Sequence, residues 1–201
     1  MYKQYNGGFI EVICGPMFAS KTETLISRIT SLQYAKQTIK VYKPELDNRY
    51  STKEIVSHAG ARIEAKAVNS SKDIMSDLLS KMEKLPDVVV IDETQFFDNN
   101  VIMVAEKLAD MGVRVIAAGL DQDFRGDSFP IVAELMARAE IVTKLTAVCT
   151  VCGAAATRSQ RLVNGEPAKM SDLTVKVGAK ESYEARCREH HETDDEKTRG
   201  D

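Results

Sequence analysis

The chain has no tryptophan, and only six phenylalanines, six tyrosines and five prolines among 201 residues. With aromatics this sparse, any cluster of them points to a surface with a purpose rather than to bulk filling. Cysteine is scarce as well. Cys14, Cys149, Cys152 and Cys187 are too few and too unevenly spread for a disulfide-stapled secreted scaffold. No apolar run approaches the roughly eighteen residues that a membrane-spanning helix needs; Val88-Val89-Val90-Ile91 is among the longest. The first apolar stretch is broken by Glu11 and lacks the charged-then-apolar layout of a secretory leader. These absences predict a soluble, cytoplasmic protein without a membrane partner.

Charge of one sign is also missing. The net charge is −3, from 27 basic and 30 acidic residues. Five of the acids and two of the bases sit in residues 192–201, so the rest balances at 25 of each. A neutral body offers no basic footprint for nucleic acid. The acidic tail, 192–201, reads as disordered.

What is present begins with a phosphate-binding loop. Phe9, Ile10, Val12 and Ile13 read as a buried strand that ends at Gly15. Leu25, Ile26, Ile29 and Leu32 then fall on one helical face, predicting a helix over 22–36. Between them lie Gly15, Pro16, Met17, Phe18, Ala19, Ser20, Lys21 and Thr22. Strand, glycine turn, Lys-Thr and helix is the layout in which backbone N–H groups and a helix N-terminus hold phosphate oxygens. Lys21 would reach the terminal phosphates and the Thr22 hydroxyl would sit on Mg²⁺. The pattern G-x-x-x-x-G-K-[ST] wants glycine where this chain has Ser20, which adds a Cβ at the tightest point.

Downstream, apolar strands alternate with amphipathic helices. Strands are predicted at 38–42, 88–91, 113–118 and 141–145, with helices at 70–84, 98–111 and 130–139. Ser71 or Asp73 is the expected cap of the first of these helices. Residues 45–60 read as a polar loop or hairpin, with Arg49 and His58 on its surface. This alternation implies a parallel sheet covered on both faces. The pattern stops near Thr146. The expected organisation is a nucleotide-binding α/β domain over 1–146, a small second domain over 147–191 with a β-like piece at 173–177, and the tail.

The apolar strand 88–91 ends in Asp92-Glu93, which places two carboxylates at the sheet edge where the phosphate loop opens. Asp92 could hold Mg²⁺, and Glu93 could accept a proton from an attacking hydroxyl. Cys149-x-x-Cys152 and Cys187-x-x-His190, 34 residues apart, can converge on a closed tetrahedral zinc site. His191 is an alternative ligand to His190. Cys14, beside the phosphate loop, reads as packing. Met17, Phe18, Phe96, Phe97, Phe124 and Phe129 all fall near one end of the sheet and suit an apolar slot for a planar base.

Taken with Ile91-Asp92-Glu93-x-Gln95-Phe96-Phe97, Gly119-Leu120-Asp121-x-Asp123-Phe124-Arg125-Gly126 and Val177-Gly178-Ala179-x-Glu181-Ser182-Tyr183-Glu184, the loop and the knuckles resemble thymidine kinases of the type II, cytosolic class from about Gly8 to His191. The resemblance implies a P-loop NTPase-like, RecA-like α/β fold with a zinc-binding domain that carries a lasso loop. It implies transfer of the ATP γ-phosphate to the thymidine 5′-hydroxyl, with Glu93 as general base. It assigns ATP or metal contacts to the loop and to Asp47, Asn48, Arg49, Asp92, Thr94 and Gln95. Substrate contacts go to Met17, Phe96, Phe124, Phe129, Thr157, Tyr183 and a lasso of Thr174, Val175, Lys176, Val177 and Gly178. It further implies a homotetramer inhibited by dTTP. The competing reading, motivated by Ser20, is a nucleotide-switched binding protein with a zinc ribbon, or a catalytically weakened relative.

Overall fold

The computed structural model describes residues 5, 7–45, 54–56, 62–81, 84–174 and 181–193. At its centre is a six-stranded sheet in which every pairing is parallel. In chain order its strands are β1 (Phe9–Cys14), β2 (Ile39–Pro44), β5 (Lys66–Val68), β6 (Val88–Ile91), β7 (Arg114–Gly119) and β8 (Ile141–Lys144). Across the sheet they run β5-β2-β6-β7-β1-β8. Among the described residues four helices connect them: α1 (Lys21–Tyr34), α2 (Ser71–Lys81), α3 (Asn100–Asp110) and α4 (Pro130–Arg138). Parallel strands need such crossovers, and the crossovers cover both faces.

The period of two along each strand divides the interior into two cores. Ile10, Val12, Val89, Ile91, Val115 and Ala117 point to one face, where α2, α3 and α4 pack. Ile13, Val88, Val90, Ile116 and Ala118 point to the other, against Leu25, Ile26 and Ile29 of α1. Each fully buried valine, leucine or isoleucine among them contributes about 1.5–3 kcal/mol. The second face also takes Glu11, fully buried in β1, where Arg28 at 2.9 Å and Arg114 neutralise it. No helix among the described residues is long and apolar enough to cross a membrane.

Several expectations shift. The edge strand β5 has no counterpart in the sequence reading, because three residues are too few to show a period. The polar stretch contributes β3 (Glu54–Val56), which pairs antiparallel with β4 (Arg62–Glu64), so it is in part a hairpin; Asp47, Asn48, Arg49 and His58 lie outside the described residues. β8 is an edge strand with alternate exposure, not a core strand, and Val142 is exposed. The α2 cap is neither of the two residues expected alone. Asp73 accepts from the N–H and hydroxyl of Ser70, while Ser71 bonds Asp98.

After Thr146 the chain forms β9 (Ala147–Val148), β10 (Ala155–Ala156), β11 (Arg158–Val163), β12 (Glu166–Pro167) and β13 (Glu181–Arg186). β11 and β13 pair antiparallel over six residues. The β-like piece expected at 173–177 is not a strand at Leu173 and Thr174, and its remainder lies outside the described residues. Glu192 and Thr193, expected in the tail, are held in the structure. Glu192 exchanges two hydrogen bonds with the Gln160 side chain, at 2.7 and 2.8 Å, and Thr193 is buried. Residues 194–201 lie outside the described set.

Candidate active site

Parallel strands bring the ends of β1, β6 and β7 to one edge of the sheet. β1 passes into the phosphate loop at Gly15, whose φ of 144° and close approach to Leu145 O suit only glycine; a Cβ there would lie 2.5 Å from that oxygen. The loop then takes two side-chain-bearing residues through the left-handed region, Phe18 at φ 66° and Ser20 at φ 55°. Ser20 thus adopts the conformation that the missing glycine would favour. Lys21 donates to Pro16 O at 2.7 Å, closing the loop on itself. Burial pulls its ammonium below the ordinary lysine range, against the charges of Glu93, Asp121 and Asp92.

β6 ends in Asp92-Glu93, as the sequence predicted for that strand tip. Glu93 is held at φ 51°, a strained conformation of the kind that collects at functional sites. Its carboxylate accepts from Gln95 Nε2 at 2.5 Å, and Gln95 Oε1 accepts from Leu120 N at 3.0 Å. Gly119 makes room for this arrangement. A Cβ on it would lie 2.5 Å from Gln95 Oε1 and 2.6 Å from Thr94 Oγ1. Burial, and then the Glu93 charge, push the Asp92 carboxyl up to about 7.

These pieces border a cavity of about 420 Å³. Its walls take Met17, Phe18, Ala19, Ser20, Lys21 and Thr22 from the loop, then Glu93, Phe96, Phe124, Phe129, Thr174 and Tyr183. Phe96 and Phe129 meet edge to face at 6.4 Å. Gly15, Pro16, Asp92, Thr94 and Gln95 do not line it; Thr94 Oγ1 instead donates to Ala118 O at 2.9 Å. Phe97, expected in the aromatic slot, is buried in the core on the α3 face. Thr157 does not line the cavity either. Ser159 does, and its hydroxyl accepts from Met17 N at 3.0 Å, tying the phosphate loop to β11. Leu120, Gln122 and Asp123 are further wall residues that the sequence reading passed over. Val175, Lys176, Val177 and Gly178 lie outside the described residues.

Cys149, Cys152, Cys187 and His190 present four ligand atoms, all within 4.8 Å of one another. Cys152 Sγ and Cys187 Sγ are 3.8 Å apart, and Cys187 Sγ and His190 Nδ1 are 3.1 Å apart. A tetrahedron with Zn–S bonds of about 2.3 Å has sulfur–sulfur edges near 3.8 Å, so the cluster fits zinc. No open coordination position remains, as a structural site requires. His190 belongs to this cluster. His191 turns away and bonds Phe124 O at 2.8 Å through Nε2. Cys14 is buried beside Met136, its thiol pushed up to about 11 by burial and then by Asp121.

A family model described as thymidine kinase matches residues 8–191. Among solved structures, the X-ray structure of the Legionella pneumophila ATPase DotB is similar at 15% identity with a TM-score of 0.44, over 76% of this chain and 44% of that one. The chain therefore spans less than half the length of that structure.

Proposed function

Because this chain belongs to the thymidine kinase family, we propose that it transfers the γ-phosphoryl group of ATP to the 5′-hydroxyl of thymidine, giving ADP and thymidine monophosphate for DNA-precursor salvage. One observation carries the reading. A single cavity is bordered by the phosphate loop, by an acid at a strand tip and by an aromatic wall. A triphosphate and a flat base with a sugar hydroxyl are the ligands such a combination suits.

In this reading Glu93 takes the proton from the 5′-hydroxyl, held in orientation by Gln95. Lys21 leaves Pro16 O and neutralises charge on the transferring phosphoryl group. Main-chain N–H groups of the loop hold the β- and γ-phosphates. Thr22 and Asp92 are the residues that would hold Mg²⁺. Asp92 is buried beside Glu93, and burial and that charge disfavour its ionised form more than Lys21 and Lys43 favour it, so a divalent cation there would favour the carboxylate. Bound there, the ion would supply positive charge against the phosphates. Phe124, Phe129, Phe96 and Met17 take the base, Tyr183 closes over it, and the backbone at Val175, Lys176, Val177 and Gly178 recognises its edge. Asp47, Asn48 and Arg49 belong to the ATP side. A zinc-held unit over 147–191 anchors the lasso. Homotetramer assembly, dTTP inhibition and a cytoplasmic location complete the proposal.

A second reading, a catalytically weakened relative, is favoured by one observation, the left-handed Ser20. The test is direct. The full chain is incubated with Mg-ATP and thymidine, and thymidine monophosphate is quantified by chromatography. Steady turnover supports the kinase. A thermal shift with thymidine but no product supports the weakened relative, and the absence of both turnover and shift overturns the kinase reading. Glu93→Gln should lower kcat by at least about 10²-fold, with the thymidine-induced shift retained.

A further inference from the structure

Residues 170–174 lead up to the wall of the cavity at Thr174, yet they belong to no strand. Apolar burial does not hold them, since Met170 is 37% and Leu173 is 71% exposed. Two guanidinium groups do. Arg125 Nε donates to Met170 O at 2.8 Å, its Nη2 to Asp172 O, and its Nη1 to Thr174 Oγ1 at 3.0 Å. Arg161 Nη1 donates to Leu173 O at 2.6 Å. Three carbonyls and one hydroxyl within five consecutive residues therefore go to two arginines.

The same two cations fix the cavity wall. Arg125 Cζ lies 4.7 Å and Arg161 Cζ 5.0 Å from the centre of the Phe124 ring, within cation–π range. Arg125 is itself set by Asp123, whose buried carboxylate receives Nη1 at 2.8 Å and the Arg125 main-chain N–H at 2.8 Å. A planar five-donor fork can serve the carboxylate, the strap and the ring at once, whereas a lysine ammonium is a single point charge.

We propose that Arg125, oriented by Asp123, is a positioning residue that latches the strap 170–174 and thereby fixes Thr174 and Phe124 in the geometry that receives the nucleoside. The proposal rests on the reading that this cavity takes thymidine. It makes Arg125 a determinant of nucleoside affinity and not of the phosphoryl-transfer step. The latch lies on the nucleoside side of the site, so the donor nucleotide does not feel it.

The experiment compares Arg125→Met and Arg125→Lys with the parent chain. The first keeps stem length and removes charge; the second keeps charge and removes the fork. Both should raise the thymidine KM about tenfold or more, the cost of losing charge-assisted hydrogen bonds. The ATP KM and kcat should stay within about twofold. Hydrogen exchange on the ligand-free full chain should show faster exchange at 169–174 with the central sheet unchanged. An unchanged thymidine KM, a fall in kcat without a KM change, or unaltered exchange at 169–174 overturns the latch. Recovery of parental behaviour by Arg125→Lys overturns the role of the fork. If the parent itself does not phosphorylate thymidine, the kinase reading fails on that assay, while the exchange comparison still decides the latch.

Discussion

Gln95 gives its side-chain amide to the Glu93 carboxylate at 2.5 Å and takes the Leu120 N–H on its amide oxygen at 3.0 Å. The link runs from the end of β7 to the end of β6, so the acid is aimed by a neighbouring strand and not only by its own. Gln95→Met removes both bonds at similar length and leaves Glu93 in place. The expected result is a fall in kcat of about tenfold or more, with ATP and thymidine KM little changed. Steady-state kinetics on both substrates checks it. A KM effect alone would place Gln95 in binding, the role first expected for it.

Ser20 occupies the left-handed region at φ 55°. A side chain there costs about 1–2 kcal/mol relative to glycine, and glycine returns about 0.4–1 kcal/mol to the unfolded chain as entropy. The first effect is larger, so Ser20→Gly should stabilise the protein by up to about 1 kcal/mol, read as a melting temperature raised by a few degrees. It should also lower the ATP KM, because the loop can close around phosphate without a Cβ. If neither quantity moves, strain at Ser20 is not limiting.

Asp98 caps two helices with one carboxylate. It accepts the N–H and hydroxyl of Ser71 at the start of α2 and the N–H of Asn100 at the start of α3. Burial pushes its carboxyl up, but the bonds to Ser71 and Asn100 outweigh burial and hold it below the ordinary aspartate range. A carboxylate depressed on folding stabilises above its unfolded pKa of about 3.9 and loses that contribution as pH falls through the folded value. Asp98→Ala should cost about 1–2 kcal/mol at pH 7. The deficit should shrink below about pH 4. Urea denaturation at pH 7 and pH 3 measures both.

The Cys149, Cys152, Cys187 and His190 cluster should carry one zinc per chain, measurable by elemental analysis. Cys152→Ser or a strong chelator should remove it and loosen 147–193, because metal binding there supplies folding free energy. His191→Ala should leave the zinc content intact, since that ring bonds Phe124 O. Zinc loss in His191→Ala would return it to the ligand set.

The phosphate loop, the acids at the tip of β6 and the Cys/His knuckles were legible because each is local, with a spacing that chemistry dictates. The features that were missed depend on register or on distant partners. Phe96 and Phe97 are adjacent, and only the turn over Thr94–Phe96 decides that one faces the cavity and the other the core. Ser159, not Thr157, reaches the loop, because β11 is registered by β13 with Ser159 opposite Ala185. Arg125 stands in the Gly119–Gly126 motif, but the motif gives it no partner in the strap. Its acceptors in the strap lie 45 to 49 residues onward and are mostly main-chain carbonyls, which leave no mark on sequence.

The smallest of the three apolar clusters consists of Ala19, Ala147, Cys149, Ala156, Ala185 and Cys187. Its first member belongs to the phosphate loop and the other five to the chain after Thr146. Through Ala19 the loop after β1 thus packs on the Cys/His-knuckle unit. A fragment ending at residue 146 would strip one flank of that loop bare, and a graft of the knuckle unit onto another sheet would arrive with a hole where a methyl group belongs. Fragment and graft alike are expected to fail at nucleotide binding, so the two halves are to be engineered as one object.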